Sequence, residues 1–127
     1  MSALVIDTSS WVTYFAGDRE SPIDDALHEG RGYLSPIVAA ELLSGNMTAR
    51  EQRLLTDLLK DLPLSPVPFE HWLRVGALRR TLRAKGLSVS TPDAHIAMCA
   101  IDLAGELLSE DTVFAKIARV VPLRLAK

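Results

Sequence analysis

The sequence lacks most features that would place it outside ordinary globular proteins. Of its 127 residues only Cys99 is a cysteine, so an internal disulfide is excluded, which fits a reducing compartment. No apolar run approaches the roughly 20 residues needed to cross a bilayer, and the opening MSALVIDTSS lacks the basic segment of a signal peptide. The formal net charge is only −2, so any basic surface must be local. We therefore expect a soluble, cytoplasmic protein with no membrane partner.

The residues that are present indicate a compact fold. Hydrophobic residues make up 48% of the chain, and the mean hydropathy is +0.16. A chain of this length can bury a core of its own. Because no repeat or convincing interdomain linker interrupts the sequence, we predict a single domain over residues 1–127.

Short apolar runs alternate with longer amphipathic segments. The short runs are predicted strands, at residues 3–6, 32–35, 64–68, 106–109 and 121–125. The longer segments are predicted helices, at residues 10–17, 21–30, 36–45, 47–62, 69–86, 91–105 and 111–120. Ser21 and Thr91 read as N-caps, each followed by proline, and Gly105 reads as a helix stop.

This alternation predicts a three-layer α/β/α fold, with a parallel sheet of about five strands between helices. The prolines in residues 64–68 place that strand at an edge of the sheet. Ligands of such sheets bind beyond the carboxyl ends of the strands. Chemically active side chains are therefore expected at that edge.

Four carboxylates are predicted to meet there. Asp7 directly follows the first strand, and Asp111 follows the strand at residues 106–109. Asp93 lies in the first turn of a helix whose N-terminus should face the same edge. Glu41 lies about one and a half turns into an otherwise apolar helix, where we expect apolar surroundings.

Each acid also has a simpler explanation. Asp7 and Asp111 could cap helices, Asp93 could interact with a helix dipole, and Glu41 could lean out to solvent. Together, however, crowded carboxylates repel one another unless a cation or protons neutralise them. Oxygen ligands without a His or Cys cluster favour Mg²⁺ or Mn²⁺ over zinc. Such a site suits phosphoryl chemistry with one or two metal ions.

Four segments resemble, in order, the signature segments of PIN-domain proteins: LVIDTSSWV, LSPIVAAELLSG, TPDAHIAMCA and LLSEDTVFAKI. Over residues 4–123 the chain most resembles the VapC-type toxins of bacterial and archaeal toxin–antitoxin pairs. The resemblance implies a sheet ordered 3-2-1-4-5. It also implies that four acids are the catalytic residues and the ligands of Mg²⁺ or Mn²⁺, namely Asp7, Glu41, Asp93 and Asp111.

The activity that this resemblance implies is metal-dependent cleavage of cellular RNA, restrained by a cognate antitoxin, in a protein that commonly forms homodimers. Thr8 and Ser9 match a polar pair that would hold water or substrate phosphate, and Ser109 matches a small hydroxyl position. The family often has a second Asp in a D-x-D-F pattern, where this chain has Val113. This departure concerns how a second metal ion would bind.

Three arginines near the end of the long helix, Arg79, Arg80 and Arg83, have two interpretations. They could contact RNA phosphates, or they could be solvated cations near a helix C-terminus. We interpret His95 as a structural or surface residue, because it lies on a different helix face from Asp93. His71 carries no evident role in the sequence.

Several alternatives stay open at this stage. A catalytically weak PIN-like module that binds RNA or a protein partner would have the same fold. A phosphohydrolase on another α/β scaffold would carry D-x-D after the first strand, where this chain has Asp7-Thr8-Ser9. A receiver domain would need an acceptor Asp at a strand end, whereas Asp57 lies within a predicted helix.

Overall fold

A computed structural model describes residues 2–17 and 21–127. The predicted domain boundary at Met1 lies outside these residues. The described part forms four strands: β1 (Leu4–Ile6), β2 (Gly32–Tyr33), β3 (Glu106–Leu108) and β4 (Arg124–Leu125). It also forms seven helices: α1 (Thr8–Phe15), α2 (Pro22–His28), α3 (Pro36–Leu43), α4 (Ala49–Lys60), α5 (Phe69–Ala84), α6 (Thr91–Asp102) and α7 (Val113–Ala118).

The strands form one parallel sheet in the order β2-β1-β3-β4, flanked by helices. This confirms the predicted α/β fold class. The predicted strand at residues 64–68 shrinks to a single parallel bridge between Leu34 and Leu64. Prolines 63, 66 and 68 explain this, because proline has no N–H with which to extend a ladder. With that bridge included, the predicted order of five is kept.

The core lies around β1, whose three residues are all buried. Helix α6 packs against β1, β3, α5 and α7, and its residues 94–100 are buried without interruption. Helix α3 packs instead against α1 and α4. Among the described residues, no helix is long and apolar enough to cross a membrane.

The two ends of α6 differ from the prediction. Ser90, not Thr91, is the N-cap, and its hydroxyl accepts a hydrogen bond from the Asp93 N–H. At the other end the left-handed residue is Ala104, with φ of 51°. Gly105 has a different role: a Cβ there would lie 2.4 Å from the carbonyl oxygen of Ala3. The glycine therefore permits close approach of the chain to β1.

Candidate active site

The carboxyl ends of β1 and β3 are joined directly. The Asp7 N–H donates to the carbonyl oxygen of Leu108 at 2.9 Å, so Asp7 and the loop after β3 start side by side. Asp111 lies in that loop. Because adjacent parallel strands end at the same edge of the sheet, both acids belong to one site.

The charges of the other three acids act on Asp93. Burial raises the pKa of the Asp93 carboxyl, a hydrogen bond from Ser90 lowers it, and the negative charges of Asp111, Asp7 and Glu41 raise it. Four carboxylates that are far apart in the sequence are therefore electrostatically coupled at Asp93.

Two serine hydroxyls hold the Asp7 carboxylate. Ser109 Oγ donates to Asp7 Oδ2 at 2.7 Å, and Ser9 Oγ donates to the same oxygen at 2.9 Å. The serines are themselves anchored, because Ser109 Oγ accepts from the Asp111 N–H and Ser9 Oγ accepts from the Glu110 N–H. Asp7 is only 7% exposed, so these bonds fix its orientation.

Glu41 lies in a different environment from the one expected. Its side chain is exposed, and the prediction of apolar surroundings is therefore wrong. Thr8 Oγ1 donates to Glu41 Oε1 at 2.9 Å, which ties α3 to the first residue of α1. Helix α3 buries Val38 and Leu42 instead, and this face turns Glu41 outward at the rim of the cleft.

The two acids predicted to cap helices differ. Asp111 Oδ1 accepts from the N–H of Val113, the first residue of α7, although the N-cap residue is Thr112, whose side chain makes no cap hydrogen bond. Asp7 is the N-cap residue of α1, but its side chain does not cap that helix. Bonding to a helix start thus accounts for one oxygen of Asp111 and leaves the buried Asp7 carboxylate to another role.

The cleft is negatively charged without a compensating cation among residues 2–17 and 21–127, where no Lys or Arg pairs with the four acids within 4.0 Å. No three of these carboxylates bring oxygens within 4.8 Å of one another in the same part of the chain. The all-oxygen donor set fits a hard divalent cation, which would draw the acids together.

The hydroxyls predicted to bind substrate are used within the site. Thr8, Ser9 and Ser109 all donate to site carboxylates. Among the predicted RNA-binding arginines, Arg79 is half-buried, and its Nε donates to the carbonyl oxygen of Val89, next to the α6 N-cap. Arg80 and Arg83 are exposed. Substrate contact by any of these residues stays a prediction.

A buried polar chain lies beside the cleft, and the sequence interpretation missed it. His71 and His95 are both fully buried, and His71 Nε2 lies 2.8 Å from His95 Nδ1. His71 Nδ1 lies 2.8 Å from Asp102 Oδ2, and His95 Nε2 lies 2.6 Å from Ser35 Oγ. The view of His71 as incidental is therefore wrong. Its spacing of three residues from Arg74, another partner of Asp102, was the available signal.

Cys99 completes a cluster with these histidines. Its Sγ lies 3.6 and 3.8 Å from the two nitrogens of His95, and one ligand atom from each of the three residues falls within 4.8 Å. All four imidazole nitrogens, however, already have hydrogen-bond partners. Burial also raises the pKa of the Cys99 thiol to about 12, which disfavours the thiolate that a metal needs. The cluster is therefore better described as a hydrogen-bonded core.

Together, the parallel sheet and the acids beyond its carboxyl edge define an α/β protein with an acidic cleft. The chain belongs to the PIN domain family, whose family model matches residues 4–120. This confirms the resemblance seen in the four sequence segments. No curated protein sequence matches the chain.

Solved structures with the same fold include three from bacteria. VapBC2 from Rickettsia felis, bound to a DNA fragment from its promoter, matches with a TM-score of 0.77 and 22% identity, covering 98% of this chain and 97% of that chain. A toxin–antitoxin complex from Klebsiella pneumoniae matches with a TM-score of 0.72 and 26% identity, covering 98% of this chain and 100% of that chain. VapBC-1 from nontypeable Haemophilus influenzae matches with a TM-score of 0.75 and 19% identity, covering 98% of this chain and 97% of that chain.

Proposed function

We propose that this protein is a Mg²⁺- or Mn²⁺-dependent endoribonuclease and the toxin of a toxin–antitoxin pair. The observation that carries the proposal is the joined carboxyl edge of β1 and β3, where two serine hydroxyls orient the buried Asp7 carboxylate beside the loop of Asp111. The charges of Asp7, Glu41 and Asp111 also raise the pKa of Asp93. Membership of the PIN family and the likeness to toxin–antitoxin structures support the same assignment. A PIN module that only binds its ligand is the second candidate.

The residues of the cleft have distinct tasks under this proposal. Asp7, held by two serine hydroxyls, presents a pre-oriented oxygen, and Asp111 presents the oxygen that does not cap α7. Burial and the neighbouring acids raise the pKa of Asp93, and the positive charge of a bound cation would offset that effect. Glu41 stands at the exposed rim, fixed by Thr8. A bound divalent cation would supply the charge that polarises a phosphodiester and acidifies a water molecule.

Cleavage of a structured RNA by purified protein in Mg²⁺ or Mn²⁺ tests the proposal. We expect Asp7→Asn to abolish cleavage and to weaken Mn²⁺ binding in calorimetry. Asp57→Asn is the matched control, because Asp57 is an exposed carboxylate on α4. Cleavage by Asp7→Asn at the wild-type rate, or undiminished cleavage in EDTA, would refute the nuclease. Mn²⁺ binding without any cleavage would favour the module that only binds.

An apolar groove offers a place for the antitoxin. It has a volume of about 380 Å³ and lies between α1 and α4, lined by Phe15, Met47, Glu51, Leu54, Leu55 and Leu58. Leu54 is 60% exposed although it belongs to the apolar stripe of α4. Such a groove accepts the apolar face of a helix. Because related folds were solved as toxin–antitoxin complexes, we propose that an antitoxin helix occupies it.

If the antitoxin occupies this groove, a substitution there should prevent antitoxin binding without affecting RNA cleavage. We expect Leu54→Asp to abolish co-purification with the antitoxin encoded beside this gene while RNA cleavage by the free protein persists. Arg53→Asp, on the neighbouring exposed position, is the control and should leave the complex intact. Unchanged complex formation by Leu54→Asp would place the antitoxin elsewhere.

The homodimer also belongs to the proposal. Phe69 and Leu73, one helical turn apart on α5, are 73% and 57% exposed. We propose that a second copy covers this apolar pair. Light scattering should then report a dimer for the wild type and a monomer for Phe69→Asp; a dimer in both would exclude this surface.

A further inference from the structure

The buried polar chain runs through four side chains from the surface to the buried N-cap of α3: Asp102, His71, His95 and Ser35, here called the relay. We infer that the relay is a positioning device that sets the separation of Glu41 and Asp93. This inference deepens the proposed function and rests on the cleft being a cation site. None of the four relay residues needs to touch the cation or the RNA.

When both imidazole rings are neutral, the hydrogen bonds of the relay follow one direction. The Asp102 carboxylate accepts from His71 Nδ1, which leaves His71 Nε2 as an acceptor. His95 then donates from Nδ1 to His71, and its own Nε2 accepts from the Ser35 hydroxyl. This assignment gives every ring nitrogen of the relay a hydrogen-bond partner.

Both ends of the relay are fixed. At the surface end, Asp102 accepts two hydrogen bonds from Arg74, at 3.1 and 2.9 Å. At the inner end, Ser35 is the N-cap of α3, where its Oγ accepts from the Ile37 N–H. The Trp72 ring stacks on the His95 ring with a centroid distance of 4.7 Å and an interplanar angle of 12°. The His95 ring therefore has little freedom to turn.

The relay joins the two helices that carry opposite sides of the cleft. Ser35 caps the helix of Glu41, and His95 follows Asp93 by two residues on α6. Helix α3 packs on α1 and α4, whereas α6 packs on α5, α7 and the sheet. The 2.6 Å bond between Ser35 and His95 is thus a direct tie between the N-cap of α3 and the second turn of α6.

Cation affinity is sensitive to such a tie, because Mg²⁺ tolerates little deviation from its preferred oxygen positions. Loss of an outer partner of a metal site typically weakens metal binding about 10- to 100-fold. A core substitution elsewhere that lowers the free energy of unfolding by a similar amount should not weaken metal binding. Metal affinity at matched stability therefore separates a positioning role from a purely structural one.

The test measures Mn²⁺ affinity by calorimetry on the full chain, alongside the melting temperature. We expect Ser35→Ala to weaken Mn²⁺ binding about 10-fold, and Ser35→Thr, which keeps the hydroxyl, to restore most of the affinity. Ile23→Val and Ile23→Ala serve as stability controls, because Ile23 is fully buried on α2 away from the relay. These controls should bracket the melting temperature of Ser35→Ala and keep wild-type affinity within about twofold.

Cleavage gives a second readout. If the relay only positions the acids, a higher Mn²⁺ concentration should restore cleavage by Ser35→Ala. Wild-type Mn²⁺ affinity in Ser35→Ala, or equal weakening in the Ile23 variants, would overturn the inference and leave the nuclease proposal standing. Absence of Mn²⁺ binding by the wild-type protein would overturn both.

Discussion

The Oγ atom of Ser109 lies 2.7 Å from Oδ2 of Asp7, although 102 positions separate the two residues in the chain. The same Oγ atom accepts the N–H of Asp111, so one hydroxyl spans two of the four acids. The junction after β1 and the junction after β3 are therefore locked together. This bond orients Asp7 in the folded chain itself.

Substitution of Ser109 tests that lock. Ser109→Ala leaves one oxygen of a 7% exposed carboxylate short of a donor, so we expect a loss of about 1–2 kcal/mol in the free energy of unfolding. Mn²⁺ affinity should fall as well. Ser109→Thr keeps the hydroxyl and is the control. Urea unfolding and calorimetry check both effects, and an unchanged unfolding curve for Ser109→Ala would contradict them.

Asp93→Asn is expected to stabilise the protein in EDTA at pH 7. Burial and the neighbouring acids raise the pKa of Asp93 in the folded chain, so its charged form opposes folding. Removing the charge should raise the melting temperature. The gain should shrink under acidic conditions, as wild-type Asp93 takes up its proton. A lower melting temperature for Asp93→Asn at pH 7 would instead assign this carboxylate a structural role.

Two neighbouring substitutions in the turn after α6 should change the stability of the protein in opposite directions. Ala104 occupies the left-handed region, so Ala104→Gly should stabilise the protein by about 0.5–1 kcal/mol. The neighbouring Gly105→Ala should destabilise it strongly, because the new Cβ would lie 2.4 Å from the Ala3 carbonyl oxygen. Denaturant unfolding of the two variants measures the contrast. Equal effects of both substitutions would mean that the turn rearranges.

Acidification should weaken the fold through His95. Burial, followed by the electrostatic interaction with the neighbouring His71 ring, lowers the pKa of His95 from 6.5 to about 4. Between these two values the unfolded chain binds a proton that the folded chain does not. The free energy of unfolding therefore decreases as the pH decreases, by at most about 3 kcal/mol.

Because Asp93 responds to acid in the opposite sense, the measurement is best made with Asp93→Asn as the reference protein. The free energy of unfolding should fall between pH 6.5 and 4 in that protein. It should fall less steeply when His95→Gln is added. Parallel pH profiles for the two proteins would show that His95 does not titrate in this range.

The sequence predicted the fold class well because the pattern of short apolar runs and capped helices is a local property of the chain. Ser21 and Pro22, for example, start α2 as expected. The prediction of a full third strand was wrong, because the prolines around Leu64 leave too few N–H groups for a hydrogen-bonded ladder. The stop after α6 was misplaced because close approach to Ala3, a long-range contact, determines the need for Gly105.

The site was partly predictable for a related reason. Asp7 and Asp111 follow strands, and strand ends can be read from local sequence. The exposure of Glu41 depends on how α3 packs against α1 and α4, which the sequence pattern does not give. The partners of His71 lie 24 and 31 positions away, so the relay becomes visible only in the folded chain.

The strands of the sheet differ in length and in their number of neighbouring strands, and this difference affects local unfolding. The outer strands β2 and β4 have two residues each, whereas the inner pair, β1 and β3, is flanked on both sides. Amide protons of Val5 and Leu107 should therefore exchange with solvent more slowly than those of Tyr33 and Leu125. Since Asp7 directly follows β1, partial unfolding from the edges would leave Asp7 and the serines that hold it among the last residues to lose their arrangement.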